Sequence, residues 1–427
     1  MYKSWVCCLS LLAAAVATAA EQSEFRPHKY DWPQWQGPER TSISHETGLL
    51  KSWPKDGPPL AWKAKDLGGG FSTPAVAAGR VFGMSLRGKN EVVWALAEAD
   101  GKELWSTPIA PKNPAVGANA GPRCTPTVDG DRVYALGVSG DLVCLDAATG
   151  KKRWHKNLAR DFHGHMMSHW GYSESPLVDG DKLICTPGGK DATLIALNKK
   201  TGATLWKSRV PQGDGASYAS AIAADLDGQR QYIQFLGRGM VGVAAKDGTF
   251  LWRYDHPANF VANCTTPVYH DGEAFGTSAY NKGGGLVKLV REGNRVEPKE
   301  VYFSDKLRNH HGGVVLVNGY VYGAHGGNRE NRFYALVCLE FGTGKVMWQS
   351  HDAGKGSPAY ADGCLYYRNE QGPVLLVEAT PNGYVERGRF EPPDRSKAPA
   401  WAHPAIANGK LYLRDQGVLL CYDVKER

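Results

Sequence analysis

From about Trp62 onward, short runs of alternating apolar and polar residues are cut every few positions by Gly/Asp or Thr-Gly pairs. A period of two marks a strand with one buried face, and a tight Asp-Gly turn returns the next strand antiparallel beside it. The stretch "CTPTVDGDRVYALGVSGDLVCLDAATGKKRW", Cys124 to Trp154, shows the whole unit. "TPTV" reaches the turn "DGD", "RVYALGV" ends at the loop "SGD", "LVCLDA" meets "ATGK", and "KRWHKN" carries a tryptophan. Four hairpin-connected strands in a unit of this length describe one blade of a propeller.

The unit recurs. Its closing tryptophan is found at Trp62, Trp105, Trp154, Trp206, Trp252 and Trp348, with Tyr302 in the same place in one copy and a divergent copy ending near "RGRF", Phe390, at spacings of 42 to 52 residues. The first copy, "GPPLAWKA" (Gly57 to Ala64), has only the last strand. The C-terminus, "HPAIANGKLYLRDQGVLLCYDVKER", has the first three and stops. Pairing the two ends completes an eighth unit, so the pattern predicts an all-β, eight-bladed β-propeller of four-stranded antiparallel blades, closed by its N- and C-terminal strands. Such closure removes exposed sheet edges. The propeller spans 57–427, after a lead-in segment at 21–56.

Ten residues before the tryptophan lie Ala95, Cys144, Ala196, Gly242 and Cys338, with Cys421 in the same slot of the last blade, and all are small. Neighbouring blades are expected to approach closely there, with free cysteine acting as a small hydrophobe. Cysteines at equivalent positions of separated blades lie beyond disulfide reach, so no disulfide framework is expected.

With 42% hydrophobic residues, 51 glycines and 25 prolines, the composition is that of a turn-rich globular chain. Residues 1–20 read as a signal peptide: Lys3, an apolar run, then small residues for cleavage near Ala19 or Ala20. The mature protein is therefore expected to be periplasmic or secreted. Cys7 and Cys8 come before the apolar run and do not suit lipid attachment. No second stretch reaches membrane length. Loss of Lys3 takes the formal charge from +7 to +6, and without a basic run nucleic acid is excluded as a partner.

"LDAATGKKRW", Leu145 to Trp154, resembles the repeat of the quinoprotein, or pyrroloquinoline quinone (PQQ)-like, β-propellers, and related endings occur at "LNKKTGATLW" and "LEFGTGKVMW". The segment Asp31 to Lys63 is similar to the lead-in of exported, single-domain bacterial members. The resemblance implies that the tryptophan and Thr-Gly turn dock one blade on the next, so the motif speaks to fold and not to cofactor. It implies two functions. One branch is quinone-dependent alcohol or sugar dehydrogenases with PQQ, calcium and a disulfide between adjacent cysteines; the other is a scaffold that assists outer-membrane barrel assembly and binds protein. The mature chain lacks an adjacent cysteine pair, so the expectation is a monomeric binding module without cofactor, for a protein, glycan or small anionic ligand. The alternative is a PQQ- and calcium-dependent dehydrogenase.

Propeller topology puts the loops entering each first strand, and those between second and third strands, on one face. Entering loops offer Arg123, Tyr172, Glu174, Tyr218, Asn263, His310, His311, Lys355, Trp401 and His403. The other loops offer Arg87, Arg238, Asn281, His325, Arg329, Arg368 and Arg414. The arginines predict a cationic rim for carboxylate or sulfate groups, balanced against pairing with Glu330, Glu370 and Asp415. The loop "HGHMMSHWGYSE" adds His163, His165, His169 and Trp170 as an aromatic and histidine platform for a sugar or planar ligand. Its histidine spacing fits no zinc signature, and no metal is expected. His310 and His311 are expected to alternate sides of a strand, so that one at most faces the channel.

Overall fold

The alternating runs form strands, the Gly/Asp pairs form their turns, and the strands assort into eight separate sheets. The computed structural model describes residues 25–426 except Ala120, Gly213, Asn294 and 328–333. The expected signal peptide, Cys7, Cys8, Arg329 and Glu330 lie outside the described residues. The first complete blade comprises Ala75–Ala77, Arg80–Arg87, Asn90–Ala97 and Glu103–Pro111, and six more follow in chain order. The last combines Ala405–Ala407, Lys410–Asp415 and Val418–Asp423 with Leu60–Ala64 from the other end of the chain. Trp62 pairs there with Cys421. The fold is an eight-bladed β-propeller, closed as the two incomplete ends of the pattern require.

Tryptophan docking between blades follows one geometry. Nε1 of Trp62, Trp105, Trp154, Trp206 and Trp348 donates to the carbonyl of Glu98, Ala147, Lys199, Ala245 and Thr380 at 2.7–3.3 Å. Each carbonyl opens the turn between third and fourth strands of the next blade. The turn glycine lies beneath the indole: a Cβ on Gly150 (φ +72) would sit 2.5 Å from Trp105, so only glycine gives both the left-handed backbone and the ring's approach. Trp252 departs from this and bonds Gln231 of its own blade at 2.7 Å. The blade after it replaces the Thr-Gly turn by the long hairpin of Gly284–Glu292 and Arg295–Ser304.

The small residues serve a different contact from the expected one. Ala95, Cys144, Ala196, Gly242, Cys338 and Cys421 are the direct cross-strand partners of their own blade's tryptophan. In four blades an aromatic of the second strand (Phe82, Tyr134, Tyr322 or Tyr412) lies on their other side. The two rings close over the small residue with centroids 6.0 Å apart in each case, and a larger side chain would wedge them open. The constraint acts within a blade. All seven cysteines among the described residues are unpaired.

The divergent seventh copy also differs from expectation. Register puts Gly388, across from Leu376, in the tryptophan slot; Phe390 lies two residues on. Trp53 of the lead-in segment fills the space. Its amide donates to Arg387 O at 3.0 Å, its ring packs edge-on against Tyr366 and Phe390, and a Cβ on Gly388 would lie 2.6 Å from its own Cβ.

The rest of the lead-in threads the channel at the ring's axis as a hairpin. Trp32 exchanges two backbone hydrogen bonds with Val76 of the first blade, and Pro33 O accepts from Val128 of the second. The Arg40 guanidinium donates to Ser175 O and Pro176 O of the third blade and Ala221 O of the fourth. Trp35 Nε1 donates to Thr266 of the fifth at 2.8 Å, and Gln36 lies against Gly313 of the sixth. Ile43–Ser44 pairs in parallel with Tyr360 and Ala361 of the seventh, and Asn408 of the eighth donates to Asp31. One segment thus touches every blade.

Trp53→Ala should destabilise the protein by about 3–5 kcal/mol in denaturant unfolding, the usual cost of emptying a buried indole site. Gly388→Ala should also destabilise it. The double variant should show no rescue, with the two losses combining almost additively, because the added methyl meets the backbone and Cβ of residue 53, which Trp53→Ala retains.

Candidate functional site

Five of the first strands carry a Ser/Thr-Pro step at Thr73, Thr125, Ser175, Thr266 and Ser357, and hydroxyls at this position link blades around the channel mouth. The amide of Thr125 donates to Ser175 Oγ and that of Ser175 to Ser220 Oγ, both at 2.9 Å, and the amide of His403 donates to Thr73 Oγ1 at 2.8 Å. His403 stands where other blades carry Ser or Thr before the proline. On this ring rests a cavity of ≈ 150 Å³, lined by Trp35, Phe71, Arg123, Trp170, Ser173, Tyr218, Ser220, Ala262, Cys264, Tyr280, His311, Trp401 and His403. Trp35, at the tip of the axial hairpin, contributes to this lining.

The walls are aromatic and mutually braced. Phe71 packs on Trp401 at 4.8 Å between centroids, Trp401 on His311 at 4.4 Å, Trp35 on His403 at 4.6 Å and Trp170 on Tyr218 at 5.9 Å. Behind them runs a chain of polar groups. Lys355, paired with Glu370 at 3.2 Å, donates from Nζ to Nδ1 of His310 at 2.8 Å. That leaves the proton of the neutral ring on Nε2, 2.9 Å from the Tyr280 hydroxyl. Burial lowers the pKa of His310 to about 3 and of His403 to about 4, and holds His311 well below its ordinary value, with Lys355 adding to the shift at His310 and His311. The imidazoles are therefore neutral at physiological pH. Burial pushes the Cys264 thiol up to about 12, so it is not a thiolate nucleophile.

The sequence expectations divide here. Arg123, Trp170, Tyr218, His311, Trp401 and His403 converge on the cavity. His310 and His311 lie in a loop ahead of the strand Val314–Val317, so strand alternation does not apply, and their rings pack face on at 3.5 Å. His169 stacks on Trp170 at 4.3 Å. The carbonyl of His165 accepts from Ala216, and His163 takes a left-handed backbone with φ +50. Tyr172 and Glu174 are buried below the surface: Tyr172 donates to Pro187 O, and Glu174 accepts from Thr186 and Gln234. Asn263 is fully buried and ties its loop to the fourth blade by donating to Leu236 O and Gly237 O. His325 bonds Lys306 O away from the cavity.

The arginines do not form one rim. Arg368 and Arg414 are each 1% exposed. Arg414 staples the closing blade to the first through Ser72 O, Met84 O and Ser85 Oγ, and Arg368 faces Asp415 at 3.7 Å. Burial brings Arg368 down to about 10 and Arg414 to about 9. Arg87 is held bidentately by Glu103, and Arg238, 56% exposed, lies 3.8 Å from Asp214. A loop position shared by several blades sets an arginine's height in the fold but not the partner it meets.

The cavity residues missed from the sequence are Trp35, Phe71, Ser173, Ser220, Ala262, Cys264 and Tyr280. Ser173 and Ser220 belong to the repeated approach to the first strand, a signal present in the pattern. Trp35 stands in "DWPQWQG", where nothing local shows that the chain turns back on itself at the ring's axis.

Burial raises Glu91 and Glu174 to about 7. Each binds its proton more tightly folded than unfolded, so stability is highest below about pH 4.5 as far as these groups decide it, and falls as pH rises toward about 7. Glu91→Gln keeps an acceptor for the Val138 amide that Glu91 binds at 3.0 Å. It should flatten part of that fall, by on the order of 1–3 kcal/mol, in urea titrations at pH 5 and pH 8.

The family model described as "Outer membrane protein assembly factor BamB" matches residues 88–350 and 239–384. A curated outer membrane protein assembly factor BamB from Moranella endobia is 23% identical over 295 residues, 65% of this chain and 69% of that one. The crystal structure of BamB from Moraxella catarrhalis superposes with a TM-score of 0.61 at 17% identity, covering 86% of this chain and 98% of that one. The quinohemoprotein alcohol dehydrogenase of Comamonas testosteroni superposes with a TM-score of 0.66 at 14% identity, over 97% and 84%. At these identities both structures speak to the fold alone. The family match runs across most of the repeats that carry the docking tryptophans, and the chain belongs to the PQQ-like propeller family of the outer membrane protein assembly factor BamB.

Proposed function

We propose that this chain is an exported scaffold that docks a protein partner on its loop face, in the service of outer-membrane protein assembly. The observation that carries this reading is Phe260. It is 84% exposed, with Val261 37% exposed beside it, on the loop that enters the fifth blade next to the cavity. The loop is rigid: Asn259 Oδ1 accepts from Val261 and Ala262 at 2.7 Å, and Asn263 Oδ1 accepts from Asn259 at 3.0 Å. Ser168 of the His163–Glu174 loop donates to Val261 O at 2.8 Å. A large aromatic held out on a pre-ordered loop loses little entropy on docking and suits the anchor of a protein interface. The other large exposed apolar residues, Leu60, Leu104, Leu205 and Val301, stand singly on outer strands, where scattered exposure is ordinary. No helix among the described residues is long and apolar enough to cross a membrane. The proposed compartment is the periplasm.

The scaffold is proposed to work without quinone or calcium. Calcium takes six to eight oxygen ligands, carboxylates foremost. The described residues lining the cavity include no carboxylate, and their one thiol, Cys264, has no cysteine beside it. The donor set does not fit the quinone–calcium pair.

A photo-crosslinking residue at position 260 should trap a defined envelope protein in intact cells, and the same probe at Lys152, on an outer strand, should not. Phe260→Asp should abolish co-purification of that partner and lower the level of outer-membrane barrel proteins, with the melting temperature unchanged. Stoichiometric uptake of PQQ with calcium and dye-linked turnover would instead establish the dehydrogenase reading.

A further inference from the structure

The cavity behind the docking loop carries a second site, independent of the scaffold reading. We propose that it binds a single pyranose ring through its hydroxyl groups. Among the described residues, four polar side-chain atoms of its lining residues are buried without a hydrogen-bond partner: Nε1 of Trp401, Nδ1 of His403, Nδ1 of His311 and Oγ of Ser173. An unmet buried donor or acceptor is costly, and four on the residues of one small cavity suit a ligand that meets them.

Their chemistry narrows the ligand. His403 donates from Nε2 to His311 O at 2.9 Å, so the Nδ1 of its neutral ring is a lone pair that needs a donor. The side chain is 5% exposed. Trp401 Nε1–H can only donate. A ligand serving both must give one hydrogen bond and accept another, as the hydroxyls of a sugar do. An acceptor-only ring bearing carbonyls and carboxylates has no proton for His403. The aromatic faces of Trp35, Phe71 and Trp170 suit the apolar C–H face of a sugar. The size agrees: an engineered cavity of about 150 Å³ holds benzene, which is the scale of one six-membered ring.

The test is a titration of the purified protein, read by intrinsic tryptophan fluorescence and calorimetry, with free hexoses, with oligosaccharides of two to six units, and with PQQ as a planar polycyclic competitor. Saturable binding of a hexose or of an oligosaccharide terminus is expected. His403→Phe should weaken it at least tenfold and Trp401→Phe severalfold, with melting temperatures near the parent's. Equal affinity for hexose and oligosaccharide identifies a free sugar as the ligand; a gain of tenfold or more with chain length identifies the end of a glycan. If His403→Phe does not fold, Trp401→Phe alone decides, since it keeps an aromatic ring and removes only the N–H and part of the area. The proposal is overturned if no saccharide binds below 10 mM (on the order of −3 kcal/mol), if PQQ binds while saccharides do not, or if saccharide binding survives both substitutions.

Discussion

Eight innermost strands converge on one axis, and each turns toward it an edge of backbone N–H and C=O groups with no further strand to pair them. Such edges leave polar groups to be satisfied and invite adventitious pairing. The axial hairpin answers that constraint along its length: Trp32 and Pro33 as backbone partners, Ile43–Ser44 as a short parallel strand, and Arg40 as a three-way donor to carbonyls of two blades. Charge at the core of a protein is costly, and burial lowers Arg40 to about 10, yet a guanidinium is suited to it because it spreads its donors over several acceptors. Outside the axis the same economy recurs at the rim, where each docking indole spends its single N–H on a carbonyl of the next blade.

The hairpin also decides what the loop face can be. A channel open along the axis would give the face no floor. With Trp35 at the hairpin's tip, braced by Thr266 and His403, the mouth becomes a blind cup with aromatic walls. The loop proposed to dock protein and the cup share neighbours, since Ala262 and Cys264 follow Phe260 directly into the lining. A ligand in the cup and a partner at the rim would therefore meet the same loop.

Much of the fold was legible because propeller blades are built from local signals: a period of two, Asp-Gly turns, and a tryptophan returning at a steady interval. The closure was legible because one end lacks what the other has. What local pattern could not reveal are contacts between distant segments. Nothing around Gly388 says that Trp53, hundreds of positions earlier, fills its missing indole, and the small slot beside each tryptophan reads the same whether a neighbouring blade or two rings of its own blade close over it. The site divides in the same way. Of the residues named on loops that enter first strands, six line one cavity. Loop arginines were misjudged, because Arg414 and Arg368 reach inward to backbone oxygens or an aspartate that only the folded ring brings near.

The shared blade has a consequence for how the chain is made. Trp53 and Leu60–Ala64 leave the ribosome several hundred residues before their partners, Gly388 and Val418–Asp423. Contacts of such sequence separation pay a large loop-closure entropy before they return anything. The ring therefore stays unlocked until the eighth blade's own strands have been made, and the earliest segment waits longest for its place. A protein built this way holds most of its blades before it acquires the contact that makes them one body.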